Sequence, residues 1–206
     1  LSIAERHNVK RFILSSSSSV YGGSNEIPTP ESAALSPKSP YALQKKIGEE
    51  YCKLYSDLFG LDTVCLRYFN VFGPRQRADS EYAAVVSSFA ESIKQEKNPV
   101  IYGDGEQYRD FTYVDNVVLA NLLAAEYDQK LFGSVFNVGC GERVSIKELA
   151  RAMNTLPPVF EDKRPGDVKC SQADIQKITK ILGYQPVVSF SEGIKRTLDW
   201  YLKENK

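Results

Sequence analysis

The sequence is poor in the residues that most often carry proton and metal chemistry. Its 206 residues include a single histidine, His7, and four cysteines, Cys52, Cys65, Cys140 and Cys170, which stand far apart with no C-x-x-C pair. No zinc donor set can be assembled from them, so no metal site is expected, and thiols spaced in this way read as reduced cytoplasmic cysteines. A net charge of zero, from 26 basic and 26 acidic residues, leaves no electrostatic footprint for nucleic acid or an anionic membrane surface. No apolar run approaches the ~18 residues of a membrane span, and no basic-then-apolar leader precedes the first helix. Unless His7 does the work, proton transfer near neutral pH falls to another residue type.

What remains is a chain with 42% hydrophobic residues, long enough to bury one large core. Leu1, Ile3, Ala4 and Val9 suit the end of a helix that Asn8 stops, and residues 11–14 read as a short buried strand. A chain that opens inside a helix reads as the later part of a longer one. After a turn-rich stretch over residues 22–40, the spacing predicts a helix over 41–58, stopped by Gly60. Residues 62–68 form an apolar run suited to a parallel strand buried on both faces. Further on, helices are expected at 82–97 and 115–127, with strands at 100–102, 111–113 and 135–138. Ser145 with Glu148, and Ser189 with Glu192, fit the S-x-x-E capping box that opens a helix. Alternating strands and helices argue for an α/β fold, with a smaller lobe beyond Glu81.

Two short patterns carry chemistry. In Tyr41-Ala-Leu-Gln-Lys45 the phenol and the ammonium share one helix face. A cation fixed beside a phenol stabilises phenolate, so a tyrosine can serve as the base that absent histidines cannot provide. A core tyrosine followed by a solvated lysine gives the same spacing. The second pattern is the serine run from Ser15 to Ser19, followed by Val20-Tyr21-Gly22. Serine runs are also flexible linkers. This one directly follows an apolar strand, at the carboxyl end where α/β folds place ligands, and its hydroxyls can bond a substrate alcohol or carbonyl. Gly103-Asp104-Gly105 reads as a turn, and Asn137 as a structural hydrogen-bonder.

Taken together, the strand, SSSSSVYG, the proline-rich loop and SPYALQK resemble the extended short-chain dehydrogenase/reductase family, in its NAD-dependent epimerase/dehydratase branch. LRYFNVFGPRQ (66–76), IYGDGEQYRDFTYVDNV (101–117), FNVG (136–139) and KRPGDVKCSQADIQKITKILGY (163–184) follow in the family's order, so the resemblance covers essentially the whole chain. It implies a Rossmann-like doubly wound parallel sheet, present in its C-terminal portion only, plus a small α/β substrate-binding lobe. Residues 1–80 would belong to the NAD-binding domain and 81–206 mainly to the nucleotide-sugar lobe, with about 107–140 returning to the first.

Position by position, the resemblance assigns NAD as cofactor and a UDP-sugar as substrate. Tyr41 is the base for the sugar 4-hydroxyl, and Lys45 tunes it and binds the nicotinamide ribose. Ser17 bonds the reacting oxygen with Ser18 assisting, while Tyr68 and Phe69 lie beside the nicotinamide. Asn70 binds the diphosphate, Ala84 and Val85 line the base, and Tyr102 stacks on it. Arg109 and Arg164 clamp the diphosphate, as a planar guanidinium fork suits phosphate oxygens. Asp167 belongs to the same substrate-binding segment, and Ser171 gates the sugar pocket, where a small residue leaves room for a 2-N-acetyl group.

Dehydratases and decarboxylases of the family carry an acidic residue beside the catalytic hydroxyl, and here those positions are serine. That favours epimerisation at C4 through a transient 4-keto sugar. The resemblance is closest to UDP-GlcNAc/UDP-GalNAc 4-epimerases of surface-polysaccharide pathways, with UDP-glucose also accepted. The alternatives are a UDP-glucuronate 4-epimerase or decarboxylase, a 4,6-dehydratase, and a catalytically dead NAD- or nucleotide-sugar-binding protein. The family's G-x-x-G-x-x-G turn is not in this sequence: Gly139-Cys-Gly141 runs on into Glu-Arg-Val. The expectation is therefore a fragment that lacks roughly the first third of the family pattern, binds NAD poorly and is inactive alone. In full-length form the resemblance implies a homodimer packed through the Tyr41 helix and the helix cut at Leu1, an interface that truncation would damage.

Overall fold

The structure is a computed structural model, and it describes residues 1–77, 85–163 and 168–203. In chain order its first half comprises α1 (Ser2–Arg6), β1 (Phe12–Ser17), a 3-10 turn (Ser18–Tyr21), α2 (Pro40–Phe59), β2 (Thr63–Tyr68), β3 (Val71–Phe72), α3 (Val85–Lys94) and β4 (Val100–Tyr102). Then follow β5 (Tyr108–Arg109), β6 (Thr112–Tyr113), α4 (Val114–Glu126), β7 (Ser134–Val138), β8 (Val144–Ser145), α5 (Ile146–Ala152), β9 (Val159–Glu161), α6 (Gln176–Leu182) and α7 (Phe190–Lys203).

The apolar runs at β1, β2 and β7 form one parallel sheet in the order β1-β2-β7. Side chains alternate between its faces. Val64, Leu66, Phe136 and Val138 pack against Val117, Ala120 and Ala124 of α4 and Ile178 and Leu182 of α6. Truncating a ring as buried as Phe136 to alanine costs about 3–5 kcal/mol. The other face meets α2, where Ser16 and Arg67 bond Glu49, and Thr63 bonds Ser56 and the Cys52 carbonyl. A second core, built on Phe72, Phe89, Ile101, Phe111, Leu149, Ile194 and Tyr201, binds α3, α5 and α7 into the smaller lobe.

Helix α2 starts where Ser39 accepts from the Ala42 amide, with proline at its first position, and ends at Gly60 in the left-handed region (φ 68°). Residues expected at 41–58 thus lie within a helix one residue longer at each end. At α5 the capping box is complete: Glu148 N–H bonds Ser145 Oγ at 3.1 Å, and Ser145 N–H bonds Glu148 Oε2 at 2.7 Å. At α7 the Glu192 amide reaches Ser189 Oγ at 3.3 Å, but the Glu192 carboxylate pairs with Arg196 at 2.7 Å. The helix expected at 82–97 is described from Val85 and stops at Lys94, two residues before Glu96 turns left-handed (φ 52°). The strand expected at 111–113 shrinks to Thr112–Tyr113, the two residues that pair with Val71 and Phe72 of β3. Asn137 is a structural hydrogen-bonder, accepting from Tyr21 and donating to the Thr29 and Asp174 carbonyls. Among the described residues, no helix is long and apolar enough to cross a membrane, and no group of His, Cys, Asp or Glu could hold a metal ion.

Candidate active site

The carboxyl ends of β1 and β2 open onto a cleft of about 590 Å³. Its wall carries Ser17, Ser18 and Ser19 from the end of β1, Tyr41 from the first turn of α2, and Tyr68, Phe69 and Asn70 from the end of β2. Arg109 and Ser171 close it from the side of the smaller lobe. The serine run is ordered. Ser17 ends β1 in extended geometry and accepts the Ser19 amide at 3.2 Å, which starts the 3-10 turn. The turn ends at Gly22 (φ 63°), where an added Cβ would collide with the Ser36 carbonyl. Glycine is required there by both backbone and space.

Tyr41 is half exposed at the cleft, and the Lys45 ammonium lies 5.4 Å from its ring centroid. Lys45 does not itself line the cleft. It stands one turn behind Tyr41 and donates to the Ser15 carbonyl at 2.7 Å, which fixes the cation against β1. Ser15 also bonds the Tyr68 hydroxyl, at 3.1 Å, and Asn121 of α4 donates to that hydroxyl at 2.9 Å. Phe69 contributes to the floor, but its ring is almost wholly buried against Val20, Tyr21 and Ala173.

Beneath the serines lies a buried polar network. Arg67 donates to both Glu49 oxygens, at 2.9 and 2.6 Å, and to the Tyr21 hydroxyl at 2.8 Å. Burial works against the charge on Arg67, but Glu49 and Tyr21 more than offset it and hold the guanidinium firmly protonated. Burial likewise raises the Tyr21 phenol, against the pull of Arg67. Glu49 is a site residue that sequence reading missed. The signal was available, because it follows Lys45 by four residues and Tyr41 by eight, a carboxylate on the buried stripe of its helix.

A second, narrower cleft of about 220 Å³ adjoins the first and shares Asn70, Val71 and Arg109 with it. Val85, Tyr102, Phe72, Phe111 and Ile146 make it apolar, and Gln107 adds an amide. Val85 and Tyr102 therefore meet in one cleft, while Ser17, Ser18, Tyr41 and Ser171 meet in the other, with Asn70 and Arg109 at the junction. Ala84, Arg164 and Asp167 lie outside the described residues. Cys170, beside Ser171, also lines the larger cleft, as do Lys38 and Thr29, which no motif marked.

The model of the NAD dependent epimerase/dehydratase family matches residues 1–139. The chain belongs to that family. Within it, the chain is 35% identical to a putative UDP-glucose 4-epimerase of Methanocaldococcus jannaschii, over 100% of this chain and 68% of that protein. Among solved structures it is similar to a UDP-N-acetylglucosamine 4-epimerase from Methanobrevibacter ruminantium in complex with UDP-N-acetylmuramic acid, at 42% identity and TM-score 0.91, covering 98% of this chain and 66% of the other. A UDP-glucose 4-epimerase from Thermotoga maritima with UDP-glucose superposes at TM-score 0.92 and 37% identity, covering 100% of this chain and 67% of the other. The chain thus spans about two thirds of the length of such family members.

NAD is the cofactor of this epimerase family, and the described residues fit its nicotinamide end. Lys45 uses one of its three donors on Ser15 and keeps two, and the adjoining cleft offers serine hydroxyls and the Tyr68 ring. Among the described residues, no glycine-rich turn joins a strand to a helix in the way a pyrophosphate requires. The fit therefore concerns that one end of the dinucleotide.

Proposed function

We propose that this chain carries the catalytic and substrate-binding machinery for epimerisation at C4 of a UDP-hexose, with UDP-GlcNAc/UDP-GalNAc as the preferred pair. The observation that carries the reading is the joining of the two clefts. One is walled by Ser17, Ser18 and Tyr41, the other is apolar with Tyr102 and Val85, and Asn70 and Arg109 stand where they meet. A base, a diphosphate and a sugar need such an order of surfaces.

In this reading Tyr41 takes the proton of the sugar 4-hydroxyl, and Ser17, assisted by Ser18, holds the reacting oxygen by hydrogen bonds. Lys45, pinned by Ser15, keeps a positive charge beside the phenol and binds the nicotinamide ribose. Tyr68 and Phe69 flank the nicotinamide. Arg109, with Arg164 and Asp167, holds the diphosphate, while Ala84, Val85 and Tyr102 receive the base. Ser171, small and on the cleft wall, leaves space for an N-acetyl group. NAD, when bound, supplies the hydride acceptor and donor that the side chains cannot. Residues 1–80 serve the cofactor and 81–206 mainly the nucleotide sugar.

The reading extends to assembly as a homodimer through α2. Leu43, Ile47, Tyr51, Leu54 and Leu58 recur along that helix at spacings of three and four, and each is more than 40% exposed.

The test is incubation with NAD and, separately, UDP-GlcNAc, UDP-glucose and UDP-glucuronate, with products identified by NMR. The chain is assayed as it stands and also joined to the glycine-rich dinucleotide-binding segment of a relative. Formation of UDP-GalNAc from UDP-GlcNAc by the joined protein, lost in Tyr41→Phe, with no turnover by the chain as it stands, is the expected outcome. A dehydrated or decarboxylated product would overturn it.

A further inference from the structure

Asp110 directly follows Arg109, and its side chain is fully buried. Among the described residues its carboxylate meets no cation. Instead it accepts three backbone N–H groups: Cys140 on Oδ1 at 2.8 Å, with Gly141 and Ala173 both on Oδ2 at 3.0 Å. Cys140 and Gly141 form the turn that leaves β7, and Ala173 ends the segment that carries Cys170 and Ser171. That segment is laid along β5 by two further bonds, Tyr108 N–H to the Lys169 carbonyl at 3.0 Å and Ser171 N–H to the Tyr108 carbonyl at 3.1 Å. Asn70 donates to the Asp110 carbonyl at 3.2 Å. Gly139 is bare so that the carboxylate can approach, since an added Cβ would stand 2.8 Å from Oδ2 and 2.7 Å from Ala173 Cβ.

We propose that Asp110 is a positioning residue for the nucleotide sugar, its carboxylate clasping the turn after β7 and the Ser171 segment to the strand that carries Arg109. The proposal rests on the reading of the joined clefts as a nucleotide-sugar site. Without the clasp, the Ser171 segment keeps its two backbone bonds to Tyr108 and Asn70 keeps the Asp110 carbonyl, but the turn after β7 and Ala173 lose their direct tie to Asp110, which loosens the cleft wall while the cores on either side persist.

The clasp is sensitive to protonation. A protonated carboxyl presents an O–H donor to N–H donors, so at least one of the three bonds is lost. Burial pushes the pKa of Asp110 up to about 6, the three N–H bonds oppose that rise, and the charge of Glu142 adds to it. The other titratable groups facing it, Cys140 and Tyr184, are both raised by burial, Cys140 to about 12, and stay neutral near pH 6. His7 lines neither cleft.

Titration calorimetry with UDP-GlcNAc, a diphosphate diester whose own charge is constant over the range, tests this. Wild-type affinity is expected to fall by up to about fourfold between about pH 7.5 and about pH 5.5, as a group with a pKa of about 6 goes from almost fully to about one-quarter ionised. Asp110→Asn, with one acceptor oxygen for three donors, is expected to bind about tenfold more weakly at the higher pH and to show a flat profile. A flat wild-type profile overturns the proposal even if the variant does not fold. A folded variant that matches wild type in affinity, or keeps its pH dependence, overturns it too. If wild type binds no UDP-GlcNAc at any pH, the nucleotide-sugar reading falls and the proposal falls with it. Binding that ignores both pH and Asp110 removes the clasp alone.

Discussion

Arg67 grips Glu49 with two guanidinium nitrogens directly beneath the serine run, and both side chains are about 5% exposed. The pair ties α2, the helix that carries Tyr41, to the central strand, because Glu49 belongs to α2 and Arg67 to β2. Ser16, the neighbour of Ser17, closes the network with a short bond to Glu49. Breaking such a pair on one side leaves a buried charge without a partner, which costs about 3–5 kcal/mol, whereas replacing both members by apolar groups is often neutral. Glu49→Gln is therefore expected to lower the melting temperature sharply, and Glu49→Leu with Arg67→Met to recover most of the loss. Thermal unfolding of the three proteins measures it, and an unchanged melting temperature in Glu49→Gln would remove the pair from any structural role.

Removing the phenol hydroxyl at Tyr41 takes away the proposed base and little else, as the ring is half exposed and packs loosely. Tyr41→Phe is expected to cut C4 epimerisation by about 10²–10⁴-fold while UDP-GlcNAc affinity stays within twofold. Lys45→Met is expected to act in the same direction, since the ammonium pinned to Ser15 disappears. NMR assay of turnover beside calorimetry of binding separates the two effects. A variant that loses binding and turnover together would reassign Tyr41 to substrate recognition.

The Tyr41–Lys45 pair is legible in the amino-acid sequence alone. Helix α2 is bracketed by Pro40 and Gly60, and a helix carries residues 41 and 45 to one face whatever surrounds it. The strands with apolar runs are legible for the same local reason. The two-residue strands β3, β5 and β8 are not, because two residues have no period and their pairing is fixed by partners far along the chain. Asp110 shows the limit for the site. No local spacing marks it, because its three partners stand 30, 31 and 63 residues away.

Asp110 also leaves a mark on stability. Its folded pKa of about 6 lies above the ordinary 3.8, so the folded protein binds its proton more tightly than the unfolded chain does. The contribution is stabilising below about pH 4 and is lost as pH rises through about 6, amounting to at most about 3 kcal/mol. Wild type is thus expected to gain stability relative to Asp110→Asn as pH falls from about 7 to about 4. Denaturant titrations of both proteins across that window measure the difference. A wild-type gap that narrows on acidification would mean the N–H bonds outweigh burial, and that the group stays ionised well below pH 6.

The apolar stripe on α2 makes the last prediction. Leu43, Ile47, Tyr51, Leu54 and Leu58 lie on the side of the helix away from Ala42, Glu49, Cys52 and Ser56, which face the sheet. Five large apolar side chains on one helix face exceed the scatter expected of a solvated surface, and a second copy of the same helix would bury them in two-fold fashion. Leu54 sits near the middle of the stripe at 48% exposure. Leu54→Glu places a charge there, and across a two-fold axis the two charges face each other. The variant is expected to run as a monomer in light scattering at concentrations where wild type is a dimer, with its melting temperature lowered by loss of association. A monomeric wild type, or a variant that dimerises as well as wild type, would take the stripe out of any self-association.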